Sequence, residues 1–124
     1  HATFVERDRR ARATIDDNLA TTRLGERATV VARDVVRALD VLAGEGATFD
    51  LVLADPPYGL GAGEVAAVLE GIVAVTSPGA LVRLEQSSRR DGTVVWPAGL
   101  AHTNTRRYGD TLILEADRVA APGP

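Results

Sequence analysis

The 124-residue sequence has no cysteine, no methionine and no lysine; its 14 basic residues are all arginine. Without cysteine there are no disulfides and no thiolate metal ligands, a pattern compatible with a reducing cytoplasm. Histidine is scarce too: His1 and His102 stand alone at no ligand spacing, so no metal site is expected. No apolar run approaches the ~20 residues that span a bilayer, and no secretory signal is visible. The expectation is a cytoplasmic protein with no membrane partner. The lack of methionine leads us to expect that the sequence does not begin at a native start codon. Arginine-only usage, with abundant Ala, Val and Gly, suggests a GC-rich genome.

A net charge of −3 excludes a strongly basic nucleic-acid clamp. Arginines nevertheless cluster at Arg7, Arg9, Arg10 and Arg12, at Arg89 and Arg90, and at Arg106 and Arg107. Solvated surface and phosphate contact are both open for them. Hydrophobic content of 45% and charged content of 25% are ordinary for one globular domain.

The chain is organised around Asp50-Leu51-Val52-Leu53-Ala54-Asp55-Pro56-Pro57-Tyr58. Leu51 to Ala54 read as a central parallel strand buried on both faces. Pro56 and Pro57 have no N–H to donate, so the strand must stop at Asp55. In open α/β sheets that carboxyl edge is where ligands bind. A planar amino group needs acceptors, which the Asp55 carboxylate and the Pro56 carbonyl can supply, and Tyr58 offers a stacking face. The alternative is a strand end and a Pro-Pro turn with Asp55 as a solvated cap.

Around this stretch, strands and helices alternate. Ala2 to Glu6 predicts a strand, with Asp8 as N-cap of a helix from Arg9 to about Arg23 that Gly25 stops. Ala28 to Ala32 predicts a strand, and Val35, Leu39 and Leu42 a short helix ended by Gly44 and Gly46. After the central strand, Val65, Val68, Leu69, Ile72 and Val73 mark a helix that Ser77-Pro78-Gly79 ends. Ala80 to Glu85 predicts a fourth strand. His102 to Tyr108 and Thr111 to Ala116 then pair about Gly109-Asp110. Such alternation predicts an α/β fold with a doubly wound, mostly parallel sheet and a terminal antiparallel hairpin. Residues 1–119 are expected to form one domain and 120–124 a frayed tail.

Three strands are expected to end on carboxylates, Glu6, Asp34 and Asp55, along one sheet edge. A carboxylate accepts both hydrogen bonds of a ribose diol. Glu6 and Asp34 could instead cap the helices that follow.

The tetrapeptide Asp55-Pro56-Pro57-Tyr58 resembles the motif of S-adenosylmethionine-dependent methyltransferases that modify amino nitrogens of nucleic-acid bases. With Phe4-Val5-Glu6-Arg7-Asp8, Asn18-Leu19 and Tyr108-Gly109-Asp110-Thr111, the chain resembles the RsmD family over nearly its whole length. That family methylates a guanine N2 of 16S ribosomal RNA. The resemblance implies a Rossmann-like class I methyltransferase fold with S-adenosylmethionine as cofactor and ribosomal RNA, or a small-subunit assembly particle, as partner. It implies the cofactor ribose on Glu6, the adenine near Asp34 and Val35, and the target amino group at Asp55, Pro56, Pro57 and Tyr58. The family's first strand and glycine-rich cofactor loop have no counterpart here, so an N-terminally truncated domain is expected. Two rivals remain. Gly59, Gly61 and Gly63, with Glu85 further on, approach a nicotinamide dinucleotide fingerprint, although Glu64 stands where a third Gly or Ala should pack. A non-catalytic methyltransferase remnant is the other.

Overall fold

The computed structural model describes residues 1–57, 59–89 and 94–120. The chain forms two compact units, His1–Val41 and Leu42–Pro124.

In the first unit, β1 (Ala2–Val5) and β2 (Ala28–Val31) pair in parallel. Between them runs α1 (Arg9–Thr22). Asp8 caps it, its Oδ2 accepting from the Ala11 N–H at 2.9 Å, because a short carboxylate satisfies a backbone donor that the first turn leaves unpaired. The helix ends before the expected stop. Arg23 takes the left-handed conformation at φ 59°, and the Leu24 N–H turns back to the Leu19 carbonyl at 3.0 Å. Gly25 opens a short 3-10 turn instead. The helix α2 (Val35–Gly44) follows β2, with Ala38 and Leu39 buried, and the boundary between the units falls within it, before Leu42.

The second unit holds a four-stranded mixed sheet in the order β3-β4-β6-β5, from β3 (Phe49–Ala54), β4 (Thr76–Ser87), β5 (Leu100–Tyr108) and β6 (Thr111–Arg118). β3 and β4 are parallel, and the other two pairings are antiparallel. The hairpin turns at Gly109-Asp110, with Gly109 at φ 59° and Tyr108 opposite Thr111. The helix α3 (Ala62–Ala74) joins β3 to β4.

Successive strand residues face opposite ways, and this sorts the sheet's two faces. On one, Val82, Leu84, Leu114 and Ala116 are buried, as are Val65, Val68, Leu69 and Ile72 of α3. α3 touches β4, so these two apolar rows form the unit's core. The other face carries Leu53, Arg83, Glu85, Arg106, Ile113 and Glu115, in adjacent register.

Two expectations are corrected here. Among the described residues β3 is the edge of its sheet and is not buried on both faces: Leu51 is 54% and Leu53 70% exposed. α3 covers only the opposite face, and no described element of this unit covers theirs. Ser77-Pro78-Gly79 lies inside β4 rather than ahead of it. The ladder jumps there, from Phe49 opposite Thr76 to Leu51 opposite Leu81, so the missing N–H of Pro78 breaks no regular pairing. The expected tail lies largely outside the described residues. No helix among the described residues is long and apolar enough to cross a membrane.

Candidate functional site

The Pro-Pro corner stands at the carboxyl end of β3. The strand ends at Ala54, and Asp55, exposed, follows at once. Its carboxylate has no hydrogen-bond or ion-pair partner among the described residues. Pro56 is half-buried and Pro57 exposed. Tyr58 lies outside the described residues.

Asp55 lines a cavity of about 420 Å³ on the uncovered face of the four-stranded sheet, together with Arg83, Glu85, Arg106, Tyr108 and Glu115. Alternation along β4 puts Arg83 and Glu85 on this face, because Val82 and Leu84 point into the core. Cross-strand register brings Glu115 opposite Arg83 and Ile113 opposite both Glu85 and Arg106. Glu115 Oε1 sits 3.6 Å from the Nε of Arg83 and 3.6 Å from the Nε of Arg106. One carboxylate, with its side chain 16% exposed, thus ties two guanidiniums together. Of this set, the sequence offers Glu85 as a strand end and as the acidic residue of the dinucleotide pattern, Arg106 in an arginine cluster and Tyr108 in a family motif. Arg83 and Glu115 carried no local signal, since strand pairing alone makes them neighbours.

Glu6 and Asp34 follow the two strands of the first unit at the same edge of their parallel pair. The Glu6 N–H extends the ladder by donating to the Val31 carbonyl at 3.1 Å. Its half-buried carboxylate makes no bond among the described residues and caps no helix. Asp34 does cap. Its Oδ1 accepts from the N–H of Val36 at 3.1 Å and of Arg37 at 3.4 Å, and its Oδ2 lies 3.7 Å from Arg37 Nε. Val35 beside it is 36% exposed. Glu6, Asp34 and Val35 therefore belong to one unit, and Asp55, Pro56 and Pro57 to the other.

In the glycine run after the corner, Gly59 takes φ 89°, as a tight turn requires. No protein atom lies within 4 Å of a Cβ built at Gly61 or Gly63, so neither is there to let strand and helix pack closely, as the third fingerprint glycine does. Among the described residues, no group of three or more His, Asp or Glu could hold a metal ion.

A family model described as "Conserved hypothetical protein 95" matches residues 1–116. Among solved structures, a conserved hypothetical protein of Streptococcus pyogenes aligns with TM-score 0.79 and 28% identity over 94% of this chain and 70% of its own. The protein yhhF of Escherichia coli, a candidate methyltransferase, aligns with TM-score 0.77 and 25% identity over 95% of this chain and 64% of its own. SMU.776, a candidate methyltransferase complexed with SAH, shares the fold at TM-score 0.73 and 10% identity over 93% of this chain and 38% of its own. No curated protein matches the chain significantly. The fold is the Rossmann-like class I methyltransferase fold.

Proposed function

The chain belongs to the RsmD family, whose model carries the description "Conserved hypothetical protein 95", and from that membership we propose that the full-length protein methylates the N2 amino group of a guanine in 16S ribosomal RNA, with S-adenosylmethionine as methyl donor. The observation that carries this reading is Asp55: an exposed, uncommitted carboxylate at a strand's carboxyl end, on the lip of a cavity, directly before Pro56-Pro57-Tyr58. The SAH in the SMU.776 structure and the fold shared with yhhF support the cofactor class.

The residues present fit that cofactor. Glu6 has both carboxylate oxygens uncommitted and half-buried, which suits a ribose diol. The Asp34 carboxylate is engaged by its helix, which holds the loop, and exposed Val35 beside it offers an apolar surface for adenine. When bound, S-adenosylmethionine supplies an electrophilic methyl group on a sulfonium.

Asp55 and the Pro56 carbonyl accept hydrogen bonds from the two N–H groups of the target amine. That grip would favour a pyramidal nitrogen, its lone pair turned toward the methyl group that the bound cofactor would supply. The nitrogen then sheds one proton, and the Asp55 carboxylate stands where it leaves. Tyr58 stacks on the base once it is out of its helix or loop. No covalent enzyme intermediate is needed; holding the two reactants in line supplies much of the rate.

Undermethylated small-subunit particles test the proposal. Full-length protein with S-adenosylmethionine should yield N2-methylguanine, read by mass spectrometry of nucleosides. Asp55→Ala should lower the single-turnover rate at least ~10²-fold while RNA affinity changes little. A wild-type protein inert on such particles, or one that methylates another atom, removes the proposal.

A further inference from the structure

We propose that the cavity beside Asp55 selects guanine, with Glu85 accepting from the base's N1–H and the guanidiniums of Arg83 and Arg106 donating to its O6 and N7. The inference rests on the base-methylation reading above and adds what that reading lacks, since Asp55-Pro56-Pro57-Tyr58 alone would serve an adenine amino group equally.

The charges lining the cavity decide what it can hold. Two guanidiniums, Arg83 and Arg106, face three carboxylates, Asp55, Glu85 and Glu115, so the formal sum is −1. A phosphate would meet net repulsion there. A neutral ligand that carries both donors and acceptors would not, and a cavity of about 420 Å³ has room for a purine.

The polar groups that remain uncommitted are of both kinds. Arg83 and Arg106 each spend Nε on the same Glu115 oxygen. Neither guanidinium has another hydrogen bond or ion pair among the described residues, so their terminal nitrogens are left to donate. Glu85, half-buried on the same face, has no partner among the described residues and can only accept when ionised. Glu115 is thus a positioning residue, holding two donors side by side. Tyr108, 61% exposed at the same cavity, offers a ring face to the base.

Guanine matches this set and adenine opposes it. Guanine presents N1–H and the 2-amino group as adjacent donors, with O6 and N7 as acceptors. Two carboxylates, Glu85 and Asp55, suit the donor edge, and the guanidiniums suit the acceptor edge. Adenine placed in guanine's pose would turn a lone pair at N1 toward Glu85 and its amino group toward the arginines, away from Asp55. The wrong base would leave these groups without their bonds and set a lone pair against the Glu85 carboxylate.

The test uses full-length protein and reconstituted particles whose target guanine is replaced by 2-aminopurine, which keeps the 2-amino group but lacks N1–H and O6. Wild-type kcat/KM should favour guanine by about tenfold to a hundredfold, the discrimination carried by one or two well-formed base contacts. In Glu85→Ala that ratio should fall close to unity, and Arg106→Ala should lower it too. A wild-type ratio near unity overturns the inference and leaves the methylation reading standing, without dependence on any variant's folding. A ratio unchanged in folded Glu85→Ala overturns it as well. A wild type inert toward guanine overturns the methylation reading, and this inference with it.

Discussion

At the scale of single residues, the three strand-end carboxylates have separate duties. Asp34 spends its carboxylate on the first turn of α2 and on Arg37, whereas Glu6 and Asp55 spend theirs on nothing described. The consequences of deletion should differ accordingly. In the full-length protein, Glu6→Ala should weaken S-adenosylmethionine binding by about 1.5–3 kcal/mol, the scale of a hydrogen bond to a charged group, with little change in thermal stability. Asp34→Ala should instead cost about 0.5–2 kcal/mol of folding stability, as a lost N-cap does. Calorimetric titration and thermal melts of both variants check the split; an unchanged dissociation constant for Glu6→Ala would take it out of the site. Tyr58→Ala should cost about 1–3 kcal/mol of base stacking, and Tyr58→Phe should be nearly silent in RNA affinity, because the ring and not the hydroxyl is used.

At the scale of elements, the helical and strand periods were legible wherever a buried stripe is long. Val65, Val68, Leu69 and Ile72 mark α3 in the sequence and are its buried residues in the fold. Leu69→Ala should therefore lower stability by about 2–5 kcal/mol in a denaturant titration, since Leu69 has no exposed surface and leaves a cavity. The ends of elements were less legible. Gly25 is the residue chemistry favours as a helix stop, yet Arg23 adopts the left-handed cap, because the Leu19 and Ala20 carbonyls are satisfied there and exposed backbone tolerates it. Gly99 is the reverse case, silent in sequence and constrained in the fold. It sits at φ 102°, and a Cβ would come within 3.1 Å of Val73 Cγ1. Gly99→Ala should therefore destabilise the second unit by more than about 1 kcal/mol, by strain and by contact together; an unchanged melting midpoint would show that Val73 yields.

At the scale of the whole molecule, a net charge of −3 makes any grip on RNA a local matter. Of the arginine clusters, Arg89 is tied to Asp110 at 3.1 Å, Arg106 to Glu115, and Arg107 Nε to the Gly109 carbonyl at 3.1 Å. Arg90 lies outside the described residues. Arg9 and Arg10 are exposed, and their guanidiniums have no partner among the described residues. Arg7, in the same cluster, is exposed as well. Where Arg9 and Arg10 meet RNA phosphates, replacing both by Ala should flatten the log–log salt dependence of RNA binding by about 0.7–0.9 per lost contact. Arg89→Ala should leave that slope alone, because its charge is already answered by Asp110. Equal slopes in all three proteins would return Arg9 and Arg10 to plain surface.

The sequence by itself determined the order of strands and helices, the stop at Asp55, the hairpin at Gly109-Asp110 and the family. Each of these is written in local chemistry: a period of apolar residues, a missing N–H, a turn pair, a run of motifs in order. Only the tertiary structure decided that β3 is a sheet edge among the described residues, with Leu51 and Leu53 exposed, that Asp34 is a working helix cap while Glu6 is not, and that Arg83, Glu85, Arg106 and Glu115 meet beside Asp55. Those facts depend on which strand lies next to which and in what register. Residues 83, 106 and 115 become neighbours only when β6 pairs between β4 and β5, a non-local choice that no short window of sequence contains.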